Sequence, residues 1–167
     1  MARKKKNKID YYLYLNLAVI VLSAISVLMI FFTAYFYADK FSFTGLQASF
    51  GCTNENGEQV LKGNFLTLLA FILPIAPIVL TILFKRSPLM ALISGVALLG
   101  AGIIAFVSVS TFPSTVVNQS MLDFINGVAG MFGSAKTEWQ LGAGIIISGI
   151  TSILASIASF ARCLIKK

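Results

Sequence analysis

The chain contains no histidine, and charge is scarce: Asp, Glu, Lys and Arg together make up 11% of its 167 residues. Lacking histidine, it lacks both the commonest physiological-pH base and the commonest metal ligand. Soluble domains carry about 25% charged residues, so a shortage this deep points away from an ordinary water-soluble fold. Cysteine is rarer still. Cys52 and Cys163 are the only two, too few for the disulfide framework of a small secreted domain. No charged residue stands in the middle of any long apolar run. Intramembrane ionisable groups are what proton relays and coupled-ion pathways use, so their absence argues against a proton-coupled transporter or pump. Phosphate-cradling loops and metal-ligand clusters are missing as well. No reaction class finds its residues here, and no enzyme, cofactor or metal is expected.

What the chain does have is apolar length: 57% of it is hydrophobic. The stretch that organises the rest is Asn64–Thr111, two uncharged spans joined by Lys85-Arg86-Ser87-Pro88. Each span is long enough to cross a bilayer, and a connection so short forces an antiparallel membrane hairpin. Adding an apolar run before it and one after gives an all-α integral membrane protein, a four-helix transmembrane bundle forming one domain over 1–167. Its helices are expected at about 11–37, 64–84, 88–110 and 139–164, with outer loops at 38–63 and 111–138. The first run follows a basic stretch, residues 2–8, as a signal peptide would. A signal peptide's apolar core is only about 7–15 residues, however. Tyr11–Tyr37 has 27 without a charge, which predicts a retained first helix with tyrosines anchoring both ends.

Within the spans, Pro74 and Pro77 remove backbone donors and predict a kink in the second helix. Pro88 suits the first turn of the third helix, where its missing N–H is an orphan in any case. That helix carries Gly95, Ala97, Gly100, Ala101 and Gly102. In the fourth, Gly144, Ser148, Ser152 and Ser156 recur every four residues, with Ser159 close by. Small residues let helix backbones approach closely in lipid, so these positions are expected to pack against another helix or another copy of the chain. Asn16, the amide inside the first span, reads as interhelical glue.

The loops carry weaker signals. Phe41-Ser42-Phe43-Thr44 alternates, and Asn56-Gly57 is a two-residue turn signal, so a small β-hairpin is expected in the first outer loop. Cys52 has no partner on its side of the membrane, which leaves a free thiol or an intermolecular disulfide. In the second loop, Ser120 and Asp123 match a capping box ahead of Met121, Phe124, Ile125, Val128, Met131 and Phe132 at helical spacing. A short amphipathic helix is expected there, on the membrane surface or over the bundle. Asn118-Gln119-Ser120 is a glycosylation sequon in a eukaryotic setting. Cys163 stands where a juxtamembrane lipid could attach.

Charge sets the orientation. Four spans put both termini on one side with ten cations: Arg3, Lys4, Lys5, Lys6, Lys8, Lys85, Arg86, Arg162, Lys166 and Lys167. The other side has three, Lys40, Lys62 and Lys136. The positive-inside rule then places both termini and the short turn in the cytoplasm, in a plasma membrane. Cations at the ends of apolar runs, rather than on one solvated face, speak against nucleic acid as a partner.

Four spans, cytoplasmic termini, a strand-bearing first outer loop and a short inner turn resemble the claudin-type tetraspan layout. Gly45-Leu46 followed by Cys52 is similar to that family's Gly-Leu-Trp…Cys…Cys signature, with Gln47 where the tryptophan stands and no second loop cysteine. The layout also resembles uncharacterised bacterial four-span proteins. Neither resemblance implies an activity or a binding residue. The expected role is therefore non-enzymatic: a structural, accessory or interaction subunit whose partners are the bilayer and a membrane protein or second copy. The alternative is a small oligomeric channel or holin-like pore lined by the Gly144–Ser156 stripe.

Overall fold

Residues 11–37, 41–53, 57–117 and 139–164 are described by a computed structural model. Helix α1 covers Tyr11–Leu28 and tightens into a 3-10 turn at Met29–Phe31. The expected helix to Tyr37 is corrected here, because Thr33–Tyr37 is strand β1. Aromatic and β-branched residues favour a pleated, half-buried surface, and β1 finds a partner on each edge. One is β2, Phe41–Thr44, with Tyr35 opposite Phe43. The other is β5, Trp139–Leu141, with Tyr35 opposite Leu141. A count of uncharged residues cannot tell the end of a helix from an apolar strand lying on top of it. The fourth helix is corrected for the same reason: Trp139–Leu141 belongs to the sheet, and the helix begins at Ala143.

Between β2 and the second span lie helix α2 (Gly45–Phe50) and strands β3 (Gly51–Thr53) and β4 (Gln59–Lys62). Strands β3 and β4 form an antiparallel hairpin, and Gly57 takes φ +81 in its turn, a conformation glycine adopts without steric cost. The hairpin thus falls where Asn56-Gly57 marks it, while Phe41–Thr44 pairs elsewhere. Thr44 caps α2 reciprocally with Gln47: Gln47 N–H donates to Thr44 Oγ1 at 3.3 Å and Thr44 N–H to Gln47 Oε1 at 3.0 Å. Gln47 therefore does a capping job at the place where the tetraspan signature carries tryptophan.

The second span is two helices, α3 (Phe65–Ile72) and α4 (Ile75–Leu83). Asn64 caps α3 through Oδ1, accepting from Leu66 N–H at 2.9 Å and Thr67 N–H at 3.2 Å. The break falls at Leu73-Pro74 alone. Pro77 lies in the first turn of α4, where its N–H would have had no intrahelical partner. Helix α5 runs Pro88–Thr111 behind a Ser87 cap with Pro88 in its first turn, and a 3-10 turn follows at Phe112–Thr115. Helix α6 is Ala143–Leu164. The amphipathic segment 121–132, its Ser120/Asp123 cap and the sequon at 118–120 lie outside the described residues.

All four spans, Tyr11–Phe31, Phe65–Leu83, Pro88–Thr115 and Ala143–Leu164, are long and apolar enough to cross a membrane. The chain is a multi-pass four-helix bundle capped by small sheets. Helix α6 packs chiefly against α5 and α1, while α4 packs against α1 and α5. The sorting of side chains is the reverse of that in a water-soluble bundle. The buried face of α5 is Ala91, Ser94, Gly95, Leu98, Ala101, Gly102, Ala105 and Ser108, whereas Leu92, Val96, Ile103 and Val107 point outward. Small residues meet inside and bulky aliphatics face out, as expected where lipid supplies no hydrophobic drive between helices. Large apolar side chains collect instead beneath the sheet, where Tyr35, Leu61, Phe71, Phe112 and Ile145 form the main buried cluster.

Candidate functional site: the serine seam and the two ends of the bundle

The small-residue stripe of α6 lies wholly inside the chain. Ser148 and Ser152 face α1, where Ser26 Oγ sits 2.7 Å from Ser148 Oγ and 2.8 Å from Ser152 Oγ. Ser26 also donates toward the Ser148 carbonyl at 3.2 Å. One turn on, the stripe turns to α5: Ser156 Oγ donates to the Gly95 carbonyl and Ser159 Oγ to the Ala91 carbonyl, both at 2.8 Å. Gly144 begins the stripe where α6 touches the start of the crown. A Cβ there would stand 2.9 Å from the Met29 and Thr33 carbonyl oxygens, closer than a real side chain tolerates. Gly95 is buried beneath Phe160, whose ring a Cβ would meet at 2.6 Å. Ser148, Ser152 and Ser156 are each 1% exposed or less. The seam thus binds α1, α5 and α6 of one chain together, and none of its hydroxyls is directed to an outer face. Ser23 and Ser94 are buried nearby in the same helices, and their hydroxyls have no hydrogen-bond partner.

At the end of the bundle that carries the sheets, Tyr35 is fully buried. Its hydroxyl donates to Ser108 Oγ at 2.5 Å, and Ser108 Oγ–H donates in turn to the Ala105 carbonyl at 2.7 Å. That leaves Thr67 to donate to Tyr35 across 2.8 Å. Three elements, β1, α3 and α5, are tied through one oxygen. The ring stacks on Phe112 at 4.0 Å between centroids, and Trp139 meets Phe112 edge-on at 4.9 Å. Burial pushes the Tyr35 phenol above its ordinary range, against a smaller opposite pull from Ser108 and Thr67. It is a neutral donor, not a base. Sequence reasoning took Tyr35 for a membrane-interface anchor; the Thr-Ala-Tyr-Phe-Tyr run was the signal for a strand instead.

At the other end, Tyr12 Oη donates to the Arg162 carbonyl at 3.2 Å and Asn16 Nδ2 to the Lys85 carbonyl at 3.2 Å. The start of α1, the α4–α5 turn and the end of α6 therefore meet. Asn16 ties helix α1 to that turn, which refines its role as interhelical glue.

No family model, curated protein or solved structure matches this chain. Chemistry must be read from the residues alone. The hydroxyls of the seam are bonded to one another and to carbonyls, and no described residue places a base beside them. Among the described residues, no group of three or more Cys, Asp or Glu comes together. Cys52 and Cys163 are both free thiols at opposite ends, and burial raises the Cys52 thiol above its ordinary range, which lowers its nucleophilic fraction. Pro74 and Pro77 are both fully buried in the bundle, Pro74 at the break itself and Pro77 in the helical turn after it.

Proposed function

We propose that this chain is a non-enzymatic plasma-membrane protein, a structural or accessory subunit. Both termini and the Lys85–Pro88 turn lie in the cytoplasm, and the strand crown presents an outer recognition surface. The observation that carries this reading is the division of labour among the polar groups. Inside the bundle they close helix onto helix, in the seam and around Tyr35, and what is left for partners is the crown. Orientation rests on the ten-to-three distribution of cations. Nothing in the seam favours the pore reading, because its hydroxyls are held inside one chain.

Photo-crosslinking in cells tests the proposal. A photoreactive residue at Ser42 or Gln59, both exposed on the crown, is expected to yield a protein adduct of defined mass. The same probe at Ile157, exposed on α6, is expected to yield lipid adducts only. Protein adducts confined to Ile157, or none from either crown position, would contradict a crown-facing partner.

A further inference from the structure

The inner end of the bundle contains a buried cation with no carboxylate beside it among the described residues. Arg162 stands in the last turn of α6, 1% exposed, and heads the fully buried side chains by volume. Its Nη1 donates to Thr81 Oγ1 of α4 at 2.9 Å. Its Nε–H is buried and has no partner. Glu58, the one carboxylate among the described residues, lies in the hairpin at the opposite end. A guanidinium taken out of water, whose side-chain partner among the described residues is one neutral hydroxyl, is unfavourable unless an anion is brought to it. Arginine near a helix end ordinarily extends its head to the interface; here the head is folded in toward α4.

The surroundings say what kind of anion fits. The free Nε edge belongs to a planar fork that matches the oxygens of a phosphate. Arg162 lies two residues from the described end of a membrane-length helix, the depth at which lipid phosphates sit. Thr81 is on the last turns of α4, and the turn that follows carries Lys85 and Arg86, both exposed. Asn16 fixes that turn against α1 through the Lys85 carbonyl. Arg162 belongs to the last turn of α6, and helix ends fray.

We propose that this inner corner, Arg162 with Thr81 and the Lys85-Arg86 turn, binds a phosphate group, supplied by an anionic phospholipid of the inner leaflet. Arg162 Nε donates to a phosphate oxygen, and Lys85 and Arg86 select a headgroup that carries net negative charge. The inference depends on the membrane reading above, so the assay uses full-length protein already shown to resist carbonate extraction. A failure of insertion appears in that first step, and a failure of the site appears only in the second.

The second step follows the thermal midpoint of the protein in detergent with phosphatidylcholine. Either phosphatidylglycerol or inorganic phosphate is then titrated in, and native mass spectrometry counts retained lipid. Phosphatidylglycerol is expected to raise the midpoint by about 2–4 °C, with phosphatidylcholine inert. Arg162→Gln should abolish the shift. Arg162→Lys, which keeps the charge but not the fork, should weaken lipid binding ~10-fold. If Arg162→Gln does not fold, the Lys85→Gln/Arg86→Gln pair decides, since it should erase the preference for the anionic lipid. A response to inorganic phosphate alone would keep the phosphate chemistry and overturn the lipid as its source. No response to either probe, or a phosphatidylglycerol shift that survives Arg162→Gln, overturns the proposal. So does a wild type indifferent to lipid whose midpoint falls equally with Asp10→Asn and Arg162→Gln, because the chain would then supply its own counter-ion.

Discussion

At the scale of single residues, the buried groups fall into two kinds, and each makes a different prediction. Tyr35 acts through its hydroxyl. Tyr35→Phe leaves the stacked ring in place but strips Thr67 and Ser108 of their shared partner, which should cost about 1–2 kcal/mol, read as a lower thermal midpoint. The same substitution has a pH signature. The fold favours the neutral phenol, so the unfolded tyrosine ionises first, near its ordinary value of about 10. Above that pH the unfolded state holds fewer protons than the folded one, and stability falls as pH rises. The advantage of wild type over Tyr35→Phe should be constant below about pH 10 and shrink above it; an advantage that grows with pH would reverse the sign and refute a neutral buried phenol. Ser148 and Ser152 act instead through their smallness. Ser152→Ala removes one hydroxyl pair and should cost roughly 0.6 kcal/mol. Leucine at Ser148 or Ser152 must fit where Ser26 stands under 3 Å away, and overpacking of this kind costs about 1–3 kcal/mol. Alanine as damaging as leucine would mean that the hydroxyls, not the close approach, hold α1 to α6. The four-residue period made the stripe legible in the sequence. Ser26 was not, because a lone serine in an apolar helix carries no period.

At the scale of elements, the proline break in the second span has a lever arm. Thr81 lies seven residues beyond Pro74, about 10 Å along a helix rising 1.5 Å per residue. Straightening the segment by roughly 20° would swing that position by roughly 3–4 Å, more than the hydrogen bond to Arg162 can absorb. Pro74→Ala restores a backbone donor at the break and should lower the thermal midpoint by pulling α4 off α1 and α5. Pro77→Ala, in the first turn of α4, should lower it less. Equal effects of the two would show that α4 takes its direction from its neighbours and not from the proline. Both prolines were visible as breakers in the sequence; which of them breaks the helix was decided by one lying at the junction and the other inside a first turn. The strands were harder to read. β1 and β5 are far apart in sequence, and each borders an apolar span, so hydropathy merges them into α1 and α6. Only the hairpin, whose turn residues are local, announced itself.

At the scale of the whole molecule, the four-span alternation was legible because charge is kept out of the middle of the spans and gathered at and between their ends. The alternation brings the Lys85 turn to the same end as the start of α1 and the end of α6. That arrangement is independent of any membrane, and the side each end occupies is a separate matter that the protein's own two cysteines can decide. Cys52 is in strand β3 of the crown, and Cys163 sits at the far end, where its thiol donates to the Pro88 carbonyl at 3.3 Å. Removing one leaves a single reporter for each face without adding a foreign residue. With Cys163→Ser, a membrane-impermeant maleimide applied to intact cells is expected to label Cys52, slowly, and faster as pH is raised, because burial holds that thiol above its ordinary range and the thiolate is the nucleophile. With Cys52→Ser, labelling of Cys163 is expected only after permeabilisation. The opposite pattern would invert the molecule, and the excess of cations around the Lys85 turn would then face outward against the positive-inside rule. In that case the phosphate-binding corner would meet the outer leaflet, and the crown would have to find its partner in the cytoplasm.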